Sequence, residues 1–144
     1  SKQGLFLEAL TRYEARAIEL ILAPLESEGT GRAAIDHVFH MLTSQEGQLK
    51  GNRGCLFCLT AESEVASSAE VAKRVRGYLQ RLQHGFAGAL HGARTAGDLG
   101  THKDPEALAD FLVGTVMGLS AMARAGRPRT QIMHYIDTAL ATLD

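Results

Sequence analysis

DPEALADFLVGTVMGLSAMARAG, Asp104–Gly126, carries the start and stop signals of one helix and an unusual distribution of apolar side chains between them. Asp104 is an N-cap residue, Pro105 suits the first helical position, and Gly126 followed by Pro128 marks the end. At 3.6 residues per turn, Leu108, Leu112, Thr115, Val116, Leu119 and Met122 fall on one face. Phe111, Gly114, Met117, Gly118, Ala121 and Ala125 fall on the opposite one. An ordinary surface helix has a single apolar stripe, so a helix apolar on both sides is shared between its own core and a partner when the chain is too small to enclose it. The second face is also small-sided at Gly114, Gly118 and Ala121, which lets another helix approach closely. It reads as a dimer face.

Outward from that helix, the rest of the chain is helical in pattern. Towards the C-terminus, RPRTQ leads into a last helix with Ile132, Ile136, Ala139, Leu140 and Leu143 as its stripe. Towards the N-terminus lies a long helix over about 69–96, with Val71, Val75, Tyr78, Leu79, Leu82, Phe86, Ala89, Leu90 and Ala93 in register and Gly97 at its C-cap. Ser67 and Glu70 are spaced as its capping box. Gly85, Gly88 and Gly92 either permit close packing there or leave the helix locally soft. A short helix spans about 55–65, preceded by the loop Gly51-Asn52-Arg53-Gly54. A further helix spans about 31–48, with Ala34, Ile35, Val38, Phe39 and Leu42 buried. The first helix starts at Ser1 and runs to about Ala23, where Pro24 ends it. No alternating strand pattern and no repeat is present. The expected fold is all-α, a bundle of about six helices in a single domain over 1–144.

Composition narrows the function. With 15 Lys and Arg against 16 Asp and Glu, the net charge of −1 leaves no basic excess to displace counterions from phosphates. No apolar run of the roughly 18 residues needed to cross a membrane stands out, and no basic-then-apolar leader opens the chain, so a cytoplasmic location and no membrane partner are expected. The chain opens without an initiator Met, directly on a helix start, which reads as a fragment.

The opening SKQGLF resembles the end of the helix-turn-helix signature of TetR-family transcriptional repressors. Gly54-Cys55-Leu56 resembles the start of that family's sixth helix, and EALADFLVGTVMGLSAMARAG and IDTALATLD resemble its eighth and ninth. The order and spacing of these pieces cover essentially the whole chain. The resemblance implies an effector-binding and dimerisation domain, with residues 1–23 as the connecting helix from a DNA-binding domain that this chain lacks. Residues 104–143 would then supply the dimerisation helices of an intermolecular four-helix bundle. Phe111, Gly114, Met117, Gly118, Ala121, Ala125, Ile132, Ile136, Leu140 and Leu143 are the candidate homodimer contacts. Lys2 matches a position that touches operator phosphate, and operator DNA would be held only through the absent N-terminal domain.

The family logic is a switch in which a small molecule inside the bundle lowers operator affinity. The expected cavity lies among the second to fifth helices, lined by Phe39, His40, Met41, Phe57, Tyr78, Leu82, Phe86, Thr115, Leu119 and Met122. Such a set suits a small apolar or aromatic effector, although each of these residues alone reads first as core and only the group carries weight.

Two polar patterns compete. Cys55 and Cys58 form C-x-x-C, and His37 and His40 form H-x-x-H, but the pairs lie on different helices and lack zinc-finger spacing, so no metal and no cofactor is expected. A redox sensor through Cys55 and Cys58 is an alternative, as is a ligand-free helical interaction module. No nucleophile, base and orienting group stand at a telling spacing, so no catalytic residue is assigned and no enzyme is expected. His84, His91, His102 and His134 read as surface or capping residues, and the run Lys73–Arg76 as a solvated face.

Overall fold

The computed structural model describes residues 1–27, 31–44, 47, 49–61, 63 and 68–144. Its elements are α1 (Lys2–Ala17), a π-turn (Ile18–Leu22) leading into α2 (Ala23–Glu26), α3 (Gly31–Thr43), α4 (Leu56–Ala61), α5 (Ala69–Thr95), α6 (Pro105–Arg124) and α7 (Arg129–Ala141). With α1 and α2 taken as one continuous helix through the π-turn, this is an all-α bundle of six helices, and no strand occurs among the described residues.

Helix boundaries follow the local chemistry, with three corrections. Pro24 does not end the first helix. The Ile18–Leu22 segment widens to π geometry, with the Ala23 N–H donating to the Ile18 carbonyl, and the helix passes through Pro24 to Glu26. A widened turn relieves the clash between a proline ring and the preceding turn, so the proline marks a bulge instead of a stop. The helix expected over 31–48 closes at Thr43, where the Thr43 hydroxyl donates to the Phe39 carbonyl at 3.1 Å and the Ser44 hydroxyl to the Met41 carbonyl at 2.8 Å. Such local bonds compete with helix continuation. Ser67 of the expected capping box lies outside the described residues. The N-cap of α5 is Ser68, which caps nothing with its side chain and accepts instead from Gln3 Nε2 at 2.9 Å.

α6 forms as its signals specify. Asp104 accepts from the Glu106 and Ala107 N–H groups at 3.0 and 3.4 Å, and the chain turns off at Gly126 with φ of 74°. The Arg127 N–H closes back on the Met122 carbonyl. Leu112, Thr115, Val116 and Leu119 are buried against the bundle, with Leu108 and Met122 half-buried. At 20 residues α6 is long and apolar enough to cross a membrane, which corrects the sequence-based expectation that no segment is. Its packing against α5, α4 and α7 is that of a core helix.

The core is built around α5, 27 residues long, which packs on α3, α4 and α6. Phe39 stacks on Phe86 with ring centroids 6.2 Å apart, and Phe57 on Tyr78 at 4.1 Å. Aromatic pairs of this kind contribute about 0.5–1.5 kcal/mol beyond their buried area. The glycines of α5 divide by environment. A Cβ on Gly85 would meet Leu25 Cδ2 at 2.8 Å, so α2 approaches closely there, whereas a Cβ on Gly88 would meet nothing. Arg74 reaches Glu14 at 2.8 Å and Arg81 reaches Glu26 at 2.7 Å, tying α5 to the first helix at two levels. Arg74 is thus a tether as well as part of the charged face expected over Lys73–Arg76.

Candidate functional site

Seven of the ten residues expected to line a central cavity are buried. Phe39, Phe57, Tyr78, Leu82, Phe86 and Leu119 are buried and packed on one another. Thr115 is buried too, and its hydroxyl donates to the Phe111 carbonyl at 2.9 Å within its own helix, so it offers no handle to a ligand. Met122 is packed against the core and His40 is exposed. Of the ten candidate lining residues, Met41 alone reaches the cleft beside the first helix.

That cleft, about 380 Å³, lies between α1, the end of α3 and the turn into α4. Tyr13, Arg16, Ala17, Leu20 and Ile21 form one wall, and Met41, Arg53, Gly54, Leu56 and Leu59 the others. A volume at the lower end of the small-molecule range, with mostly apolar walls and a few polar groups, is the form of a ligand pocket. A hollow of about 530 Å³ between His102 and Thr142, beside Phe111, is shallower and more open. The lining residues that sequence reasoning missed sit on the first helix and at Arg53, Gly54, Leu56 and Leu59. One signal was present: Tyr13, Ala17, Leu20 and Ile21 make its apolar stripe too wide for a single packing contact.

The turn Gly54-Cys55-Leu56 joins the cleft to the rest of the bundle. Gly54 has φ of 73°, and a Cβ on it would sit 2.7 Å from Ser120 Oγ and 2.9 Å from the Ser120 carbonyl oxygen. Only glycine permits this approach of the turn to α6. The buried Cys55 N–H donates to Ser120 Oγ at 2.6 Å, latching the turn to α6, and the Cys55 carbonyl accepts the first helical bond of α4 from the Leu59 N–H. Tyr13, on the cleft wall, tilts against Phe57 at 5.8 Å.

Cys55 and Cys58 are both buried thiols. The Cys58 thiol donates to the Cys55 sulfur and is the largest influence on it; burial opposes, and the Cys58 backbone N–H adds to the pull, so that the Cys55 thiol comes down to about 7. Burial pushes the Tyr13 phenol far up, with the charge on Cys55 next in importance. The Tyr13 hydroxyl lies near Cys55, yet it meets no partner at ordinary hydrogen-bond geometry, which makes the contact a long and weak one. The cysteines do not join His37 and His40: no group of three or more metal-ligating side chains occurs among the described residues. His91 pairs with Glu106 at 3.1 Å between α5 and α6, and His91 and then Gln83 hold the Glu106 carboxyl below its usual range.

The outward face of α6 has the expected small side chains. Phe111, Gly114, Ala121 and Ala125 are exposed, and Met117 and Gly118 are half-buried. On α7 the assignment needs correction. Ile132, Ile136 and Leu143 are buried in the protomer's own core and Leu140 is half-buried against it, so these side chains do not form an outer surface. A stripe read from periodicity locates an apolar face but not what covers it. The outward large side chain of α7 is Tyr135, 41% exposed, whose hydroxyl lies beside Gly118.

The helical order, with a cleft against the first helix and a small-sided outer face on the penultimate one, can be set beside known proteins. The family described as tetracyclin repressor-like, C-terminal domain, matches residues 32–139. The chain belongs to that family. It is also similar to an uncharacterized HTH-type transcriptional regulator, YezE of Bacillus subtilis strain 168, at 23% identity over 145 residues, covering 100% of this chain and 75% of that protein. No solved structure matches.

Proposed function

We propose that this chain is the effector-binding and dimerisation domain of a TetR-type transcriptional repressor, sensing a small, largely apolar or aromatic molecule in the α1/α3/α4 cleft. The observation that carries the reading is the cleft's position. Its walls belong to α1, the helix that would lead to the reading head, and to the Gly54-Cys55 turn latched to α6 by Ser120. An effector that prefers one spacing of those walls biases α1 against the dimerisation helix, and the coupling is bounded by its differential affinity for the two states. Residues 1–23 would serve as the connecting helix and 104–143 as the dimerisation segment, in one domain over 1–144. Operator contacts, with Lys2 at their margin, would depend on a helix-turn-helix outside the chain. The reading is non-enzymatic, cytoplasmic and free of cofactors and metals.

The homodimer would be built on Phe111, Gly114, Met117, Gly118, Ala121 and Ala125, joined by Tyr135 in place of the buried α7 residues. Gly114 is the cleanest probe of it. A Cβ there meets nothing within its own protomer, so Gly114→Leu leaves the single chain unstrained while placing a branched side chain where a partner helix would pack. In native mass spectrometry the wild-type chain is expected as a dimer and Gly114→Leu as a monomer with unchanged helix content. A variant that stays dimeric at the same affinity would move the interface elsewhere. For the cleft, the apolar dye 1-anilinonaphthalene-8-sulfonate is expected to bind the wild type and to lose affinity when Leu20→Trp fills the space. Equal binding by both would remove the cleft as the effector site.

A further inference from the structure

We propose that the effector taken by the cleft is an organic acid, an apolar body carrying one carboxylate, with the carboxylate held between Arg16 of α1 and Arg53 of the turn before α4. The inference rests on the effector reading of the cleft and adds the charge of its ligand. Among the described residues that line the cleft, two are cations, Arg16 and Arg53, and none is Asp or Glu. The other lining side chains are apolar except Tyr13, whose hydroxyl is buried away from solvent. Apolar walls with a cationic rim select a ligand with one apolar body and one anionic end. A cationic ligand would meet like charge there.

The sequence sets both arginines at the rim. Arg16 stands one helical turn before Leu20 and one after Tyr13, so it shares the face of α1 that forms the wall. It is exposed, which leaves its stem along apolar surface and its guanidinium in water. Glu14, two residues earlier, is drawn instead to Arg74 of α5 at 2.8 Å. Arg53 is exposed too and lies between Gly51 and Gly54, whose φ angles are 62° and 73°. Its N–H donates to the Lys50 carbonyl at 3.3 Å, which fixes its place in the turn. Arg16 has an interaction of its own, whereas the Arg53 side chain pairs with no carboxylate among the described residues. Arg53 is therefore the main anchor and Arg16 the second. A guanidinium offers a planar fork of N–H donors that matches the two oxygens of a carboxylate. An acid bound in this way ties α1 to the turn, and Gly54, next to Arg53, lies against Ser120 of α6. The charged end thus bears on the same elements whose spacing an effector must bias.

The test compares octanoate with octanol, which share a body and differ in charge, by isothermal titration calorimetry on the purified chain at neutral pH and low salt. Octanoate is expected to bind about tenfold more tightly, the scale of charge-assisted hydrogen bonds at a solvated rim. Arg53→Gln should remove most of that difference, and Arg53→Lys should keep more of it, because the charge remains while the fork is lost. Arg16→Gln should reduce it as well. Raising sodium chloride from about 0.05 M to about 0.5 M should narrow the difference in the wild type, which decides the matter if a variant fails to fold. Equal affinities for acid and alcohol, both lost in Leu20→Trp, would overturn the anionic ligand and leave the cleft as an effector site. A preference for octanoate that is indifferent to salt, or that survives both arginine substitutions, would also overturn the proposal. Binding of neither compound would remove the cleft reading and this inference with it.

Discussion

The two sides of the bundle solve the packing problem differently. Between α3 and α5, long helices bring Phe39 onto Phe86, while Phe57 of α4 reaches Tyr78, and these rings are buried and stacked. Between α1, the end of α3 and α4, the helices are short or locally widened and the interior holds a cleft of about 380 Å³. Six-residue α4 cannot present a long continuous stripe, and only Leu56 and Leu59 of it reach the cleft. A domain of this size keeps its stability in the stacked side and its adaptability in the other.

The sharpest way to break that contrast is to empty the stacked side. Phe57→Ala removes a fully buried ring that both Tyr78 and Tyr13 touch, and should lower unfolding free energy by about 3–5 kcal/mol in urea titration. Leu20→Ala, facing the cleft, should lose only about 1 kcal/mol, because half-exposed surface loses less on truncation. Equal losses at the two positions would show that the cleft collapses in solution. The junction comes next: Gly54→Ala forces a side chain onto a φ of 73° and into Ser120, and should destabilise by about 2 kcal/mol or more. The same titration checks it, and a neutral result would mean that the turn can leave α6 freely. The smallest effect is expected at Gly88. A Cβ there meets open space on α5, so Gly88→Ala should stabilise by up to about 1 kcal/mol, read as a modest rise in thermal midpoint. Destabilisation there would reveal a covering partner.

Much of this architecture was legible without coordinates. Asp104, Pro105 and Gly126 announced α6 because capping is local chemistry, and its two faces followed from period alone. The candidate site was not legible to the same degree. Aromatic residues at Phe39, Phe57, Tyr78 and Phe86 suit a pocket wall and a solid core equally, and only their mutual stacking separates the two. Pro24 reads as a stop from sequence, yet the turn before it widens to π geometry and the helix continues to Glu26.

The sequence by itself determined the helical class, the order of helices, the caps of α6 and the division of α6 into an inward and a small-sided outward face, since each rests on contacts within a few residues. Tertiary structure alone decided where empty space lies, that Ile132, Ile136 and Leu143 turn inward while Tyr135 turns out, and that Ser120 of α6 holds the N–H of Cys55, 65 residues away. Those depend on which helix surfaces meet, and a one-dimensional period carries no information about the surface opposite.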